Sequence, residues 1–172
     1  MTKFWEIIIG SVVGAFLALL GAIVTMKIQD NRSLQNAKFS ISVELRQIKD
    51  ILVDIRGQAI DSKGTLSVDV IQTTLYYPPS DFDTYKISLS RLKPSDFRKV
   101  CDIYRKIKEF EELRLILLKK KENGIDLSAI SNSEKLSTEE KTLKKYMEIY
   151  LNYYLNMDLL ISEINEVYEL VE

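Results

Sequence analysis

The stretch GSVVGAFLALLGA, residues Gly10–Ala22, carries no charge, and its reading decides how the rest of the chain is organised. It is the centre of an uncharged run of twenty residues from Ile7 to Met26, in which Ser11 and Thr25 are the only side-chain hydroxyls. At about 1.5 Å per residue, a helix of that length covers roughly 30 Å, the hydrocarbon thickness of a bilayer. Phe4 and Trp5 stand where the run begins and Lys27 where it ends. An aromatic ring there suits the headgroup level. The run predicts a transmembrane anchor over residues 1–27, with Trp5 and Lys27 as interface anchors. A cleaved secretion signal fits less well, because MTKFWE offsets Lys3 with Glu6 and the apolar run is too long. A buried core helix of this length would be out of proportion to so small a domain.

The flanks orient the anchor. Lys3 and Glu6 precede it, whereas Lys27, Arg32, Lys38, Arg46 and Lys49 follow it. Basic residues favour the cytoplasmic side of a membrane span, which predicts an outside N-terminus and a cytoplasmic domain over residues 28–172. Gly10, Gly14, Ala18 and Ala22 recur every four positions and form one stripe of small side chains. Helices in lipid join by close backbone approach and packing, so the stripe points to transmembrane packing through self-association or through docking on a partner's span. Lys27, Arg32 and Lys38, interrupted by Asp30, are by themselves too few for a lipid-recognition site.

Composition bounds the chemistry. The chain has 172 residues with a net charge of −1, which is globular in character and offers no bulk attraction to nucleic acid. Cys101 is the single cysteine, so no intrachain disulfide forms, in keeping with a reducing compartment. Histidine is absent. That removes the commonest general base and metal ligand, and excludes histidine-dependent hydrolases and Cys/His zinc sites. The glycines build no phosphate-cradling loop. Glu111–Glu112 and Glu139–Glu140 are sequence neighbours that point about 100° apart on a helix and cannot share a site. No catalytic, cofactor-binding or metal-ligating constellation is expected, and no enzyme.

No glycine or proline interrupts residues 22–56, so the anchor can continue into the next segment as one long helix. Leu34, Ile41, Leu45, Ile48, Leu52 and Ile55 then mark one apolar face, with Arg46, Asp50 and Asp54 opposite, as in a bundle helix or a coiled-coil stalk. Residues 57–80 read as a loop excursion with a short element near Leu66–Val70. A short helix follows over about Phe82–Leu92. The next begins at Pro94, buries Phe97, Val100, Tyr104, Ile107, Phe110, Leu113 and Leu117, and ends in Lys119–Lys121 before Asn123 and Gly124. The triple lysine reads as a helix C-terminus, where cations oppose the dipole.

After a loop over 124–137, STEE at Ser137–Glu140 is a capping box opening the last helix. Leu143, Met147, Tyr150, Tyr154, Met157, Ile161, Ile164, Tyr168 and Val171 form its stripe. Its tyrosines read as core, with hydroxyls reaching the surface. Asn152 and Asn156 flank the stripe, on the narrow polar face or in a polar contact that sets register. From Glu148 onward this helix has no basic residue, while Arg98–Lys121 is rich in them, so the two helices are expected to be neighbours.

The segment IQTTLYYPPSDFDTYKISLSRLKPSDFRKVCDIYRKIKEFEELR, Ile71–Arg114, resembles in spacing a layout of small bacterial proteins of unknown function. Those have one N-terminal span and a cytoplasmic helical domain. The resemblance implies a helical fold and no activity. The expectation is therefore an all-α chain, with one transmembrane helix continuing into a cytoplasmic antiparallel helical bundle. Leu45, Ile48, Leu52, Phe97, Tyr104, Ile107, Met147, Tyr150, Tyr154, Ile161 and Ile164 make the bundle core. The expected function is a membrane-anchored interaction or scaffold protein, homo-oligomeric through the Gly10–Ala22 stripe, with the bilayer and an unidentified cytoplasmic protein as partners. The alternative is a membrane-perturbing effector of a bacterial anti-phage or toxin system.

Overall fold

The computed structural model describes residues 2–59, 80–125, 127, 130 and 136–171; for 2–9 and 57–59 it describes only the helical backbone. Among these residues the chain is all-α, with helices α1 (Thr2–Ala59), α2 (Asp81–Leu89), α3 (Pro94–Glu122), α4 (Thr138–Leu155) and α5 (Met157–Val171). The short element expected near Leu66–Val70 lies outside the described residues, as does most of the 57–80 excursion.

α1 is one unbroken helix of 58 residues, roughly 87 Å long at about 1.5 Å per residue. No residue from 22 to 56 lacks a backbone donor or adds glycine freedom, and the helix runs through Gly57 before ending at Ala59. Its second half buries Ala37, Ile41, Leu45, Ile48, Leu52 and Ile55, spaced three and four apart. Leu34 is half-buried, and Arg46, Asp50 and Asp54 face solvent. The periodic pattern was sufficient to define this face.

Contacts order the other helices around it. Ser33 and Ser88 share a hydrogen bond at 2.6 Å, while the Glu44 carboxylate lies against the start of α2 at Asp81 and Phe82, so α2 runs antiparallel to α1. Arg56 pairs with Asp158 at 2.5 Å, and Phe39 lines a groove with Val171, so α5 is antiparallel to α1 as well. α3 meets α5 through Lys106 and Glu163 at 2.6 Å and through Lys99 and Glu166 at 3.5 Å. The basic and acidic helices are therefore neighbours, as their charges suggested. Phe110 on α3 stacks on Tyr150 of α4, with ring centroids 4.7 Å apart.

The helix ends follow local chemistry. Ser137 caps α4 by accepting from the Glu140 N–H at 3.3 Å, and the Glu140 side chain accepts from the Ser137 N–H at 2.8 Å. α3 ends in a Schellman arrangement: Ile125 N–H donates to the Lys120 carbonyl, and Gly124 N–H to that of Lys121. Gly124 has φ 81°, the left-handed conformation in which a Cβ is unfavourable. α2 is shorter than expected, ending at Leu89 rather than near Leu92.

Two expectations are corrected. The helix expected to run from Thr138 to Val171 breaks at Asn156, whose φ of −101° and ψ of 21° leave the α geometry. Its side-chain amide donates to the Asn152 carbonyl and to Asn152 Oδ1, at 2.8 and 2.9 Å. Such local side-chain bonding competes with the backbone ladder. The ladder restarts at once, because Leu160 N–H reaches the Asn156 carbonyl. Apolar spacing continues across the break, which is why it hid the break. Secondly, Leu127 and Ile130, inside the expected 124–137 loop, are helical, and Ile130 is buried.

Of the expected core, Leu45, Ile48, Leu52, Tyr104, Ile107, Tyr150 and Ile164 are buried, whereas Phe97, Met147, Tyr154 and Ile161 pack half-buried at its rim.

Candidate functional site

From Gly10 to Ile28, α1 presents side chains that nothing among the described residues covers. Val12, Val13, Phe16, Leu17, Leu19, Leu20, Ile23, Val24, Met26 and Ile28 are all exposed. This is the one helix among the described residues long and apolar enough to cross a membrane, with a mean hydropathy of 2.0 over its most apolar stretch. An uncovered apolar surface of this extent is foreign to a monomeric soluble protein. Thr25 does not break the segment, because its hydroxyl donates to the Gly21 carbonyl at 2.9 Å.

Gly10, Gly14, Ala18 and Ala22 sit on this helix as expected, and a Cβ built on Gly10 or Gly14 meets nothing within 4 Å. Packing inside the monomer therefore gives these glycines no steric purpose. At about 100° per residue, Gly14 and the core residue Ile41 fall on opposite sides of α1. Phe39 and Val43 fall within about 20° of Gly14, and both are exposed, at 71% and 41%. One face of α1 thus carries the small residues and, further along, two uncovered apolar side chains. The other interface residues separate: Lys27 is exposed on α1, while the Trp5 side chain lies outside the described residues.

Below the apolar segment, α2 and the turn after it are fastened to α1. Arg91 Nη2 meets Asp30 Oδ1 at 2.7 Å, and Arg91 Nη1 donates to the Asp30 carbonyl at 3.2 Å. Ser33 and Ser88 bond one turn further on. Glu44 then joins three helices, accepting from the Tyr104 hydroxyl at 2.6 Å and from the backbone of Asp81 and Phe82. The Tyr104 ring stacks on Phe82, with centroids 4.5 Å apart. Burial pushes the Glu44 carboxyl above its ordinary value of 4.5, and Asp81 adds to this, against the hydrogen bonds.

A carboxyl raised in the folded state binds more protons there than in the unfolded chain. Its contribution to stability is complete below the unfolded value and is lost as pH rises through the folded one. Glu44→Gln is therefore expected to flatten the pH dependence of unfolding above the ordinary value of 4.5 and to stabilise the neutral-pH protein relative to wild type. Urea titrations across that range check it; a variant with an unchanged pH slope removes Glu44 from the linkage.

The interior of the bundle holds a pair that periodicity alone did not reveal. Arg114 Nη2 and Nε donate to the two Glu111 carboxylate oxygens at 2.6 and 2.8 Å, with both side chains almost fully buried. Glu112, its sequence neighbour, is exposed, so the two carboxylates indeed diverge. Tyr150 is 1% exposed and its hydroxyl has no hydrogen-bond partner, contrary to the expectation that the tyrosine hydroxyls reach the surface. Burial raises its pKa strongly. Tyr153 behaves differently: its hydroxyl donates to Glu109 at 2.7 Å. The missed signal was an opposite charge pair at i and i+3 lying within the apolar stripe of α3.

Among the described residues, no three of cysteine, aspartate and glutamate gather as a metal-holding group. Comparison with protein-family models, with curated proteins and with solved structures finds no match to this chain. The functional reading therefore rests on the chain's own geometry.

Proposed function

We propose that this protein is a non-enzymatic, membrane-anchored interaction or scaffold protein that self-associates through the small-residue face of α1. The carrying observation is the apolar surface from Val12 to Ile28, which nothing else among the described residues covers. A bilayer supplies the missing environment. The cations that follow the segment, Lys27, Arg32 and Lys38, favour a cytoplasmic bundle and an outside N-terminus. A Cβ at Gly10 or Gly14 meets nothing within 4 Å, which leaves room for a second copy whose backbone can approach where no Cβ intervenes. The exposed Phe39 and Val43 continue that face beyond the membrane.

The test is crosslinking of Phe39→Cys in native membranes, in a Cys101→Ser background, with Glu112→Cys on α3 as the control. A crosslinked pair of this chain at position 39 and none at 112 is the expected result. Only monomer at both positions overturns self-association along α1. A chain released from the membrane fraction by alkaline carbonate overturns the anchor. Capture of a different protein at position 39 makes this face a docking site for another partner.

A further inference from the structure

We propose that the turn between α2 and α3, residues 90–93, is a second membrane contact, docking on the anionic headgroups of the bilayer that holds α1. The proposal rests on the membrane reading of α1 and adds a surface that only the folded chain assembles.

Height comes first. Lys27 marks the end of the apolar segment, and Asp30 lies three residues further on, roughly 4.5 Å along the helix axis. The headgroup layer on each side of the hydrocarbon is about 5–8 Å deep. The two contacts of Arg91 to Asp30 therefore fix the α2–α3 turn within that layer. The Ser33–Ser88 bond prevents α2 from swinging away from it. Because α2 runs antiparallel to α1 and α3 starts at Pro94, this turn is the end of the bundle nearest the membrane.

Charge comes second. Along the sequence, Asp30 interrupts the juxtamembrane cations and leaves too few for lipid binding. In the fold Arg91 neutralises Asp30, and the turn adds Lys93, two residues beyond Arg91, to the cations Lys27 and Arg32 that follow the apolar segment. Lys27, Arg32 and Lys93 are exposed, and none has a carboxylate partner among the described residues. Asp96, half-buried and bonded by the Ser95 hydroxyl, is the one acid close to the turn in sequence. Clusters of lysine and arginine beside a span attract anionic lipid, and each charge strengthens binding by roughly fivefold when close to the surface.

The experiment uses the full chain reconstituted in vesicles of phosphatidylcholine, with or without phosphatidylglycerol. An environment-sensitive fluorophore is placed on Ser90→Cys in a Cys101→Ser background, and flotation is measured in parallel. The expected result is co-flotation with both vesicles, but a blue-shifted emission quenched by headgroup-attached quenchers only when phosphatidylglycerol is present. Lys93→Gln should keep flotation while the docked-to-undocked ratio falls roughly fivefold. A label that remains aqueous in both vesicles while the chain floats overturns the headgroup contact and leaves the anchor standing. Equal quenching in neutral and anionic vesicles overturns the electrostatic basis. A chain that does not float at all overturns the anchor and this proposal with it.

Discussion

Gly14→Ile is expected to abolish self-association of the full chain in membranes while leaving the bundle as stable as wild type. The asymmetry comes from geometry. A Cβ at position 14 meets nothing within 4 Å, so the larger side chain disturbs no contact of the single chain. Isoleucine is also tolerated in a helix, and replacing glycine removes a backbone-entropy penalty of about 1 kcal/mol. Between two copies, the same side chain would push apart backbones that the small-residue stripe lets approach. Crosslinking yield in native membranes reads the first half of the prediction and thermal unfolding of the purified chain reads the second. Undiminished crosslinking in Gly14→Ile removes the stripe from the interface; a lowered melting temperature would place Gly14 in monomer packing instead.

Arg114→Ala is expected to destabilise the bundle by about 3–5 kcal/mol, because it removes the two-point guanidinium partner of the buried Glu111 carboxylate. Such a loss is a large share of the roughly 5–15 kcal/mol that holds an ordinary domain together. Glu111 and Arg114 are 4% and 3% exposed, so water cannot replace the lost partner. The companion variant, Glu111→Leu with Arg114→Met, removes both charges and should recover most of the loss, since well-packed apolar side chains often replace a buried pair without penalty. Urea unfolding followed by helical circular dichroism measures both. If the single and double variants are equally destabilised, the cost lies in packing around α3 rather than in the broken ion pair.

The parts of this fold that were legible in the sequence are those governed by short-range rules. The apolar face of α1 was visible because Ile41, Leu45, Ile48, Leu52 and Ile55 obey helical spacing with no glycine or proline between them. The cap at Ser137 and the stop at Gly124 were visible because each needs only neighbouring residues. The break at Asn156 was hidden by an apolar pattern that continues across it, although the amide that makes it was in plain view. Residues far apart in sequence gave no warning of their meeting. Arg91 reaches Asp30 and Tyr104 reaches Glu44 only because α2 and α3 fold back along α1. The apolar segment and its small residues were read directly from the chain. The junction that fastens the bundle beneath them needed three dimensions.

The continuity of α1 has a mechanical consequence. From Lys27 to Ala59 the helix contains no proline and no break, a distance of roughly 48 Å. A hinged linker would absorb a change of angle in the bilayer, whereas a rod passes it on. A tilt of about 10° at the membrane sweeps the far end through roughly 8 Å, and a rotation about the axis turns both ends together. Arg56, which grips Asp158 beside the Asn156 break, sits at that far end. In the proposed membrane setting, the orientation of the Gly10–Gly14 segment and the geometry of the α4–α5 corner are thus two readings of a single lever.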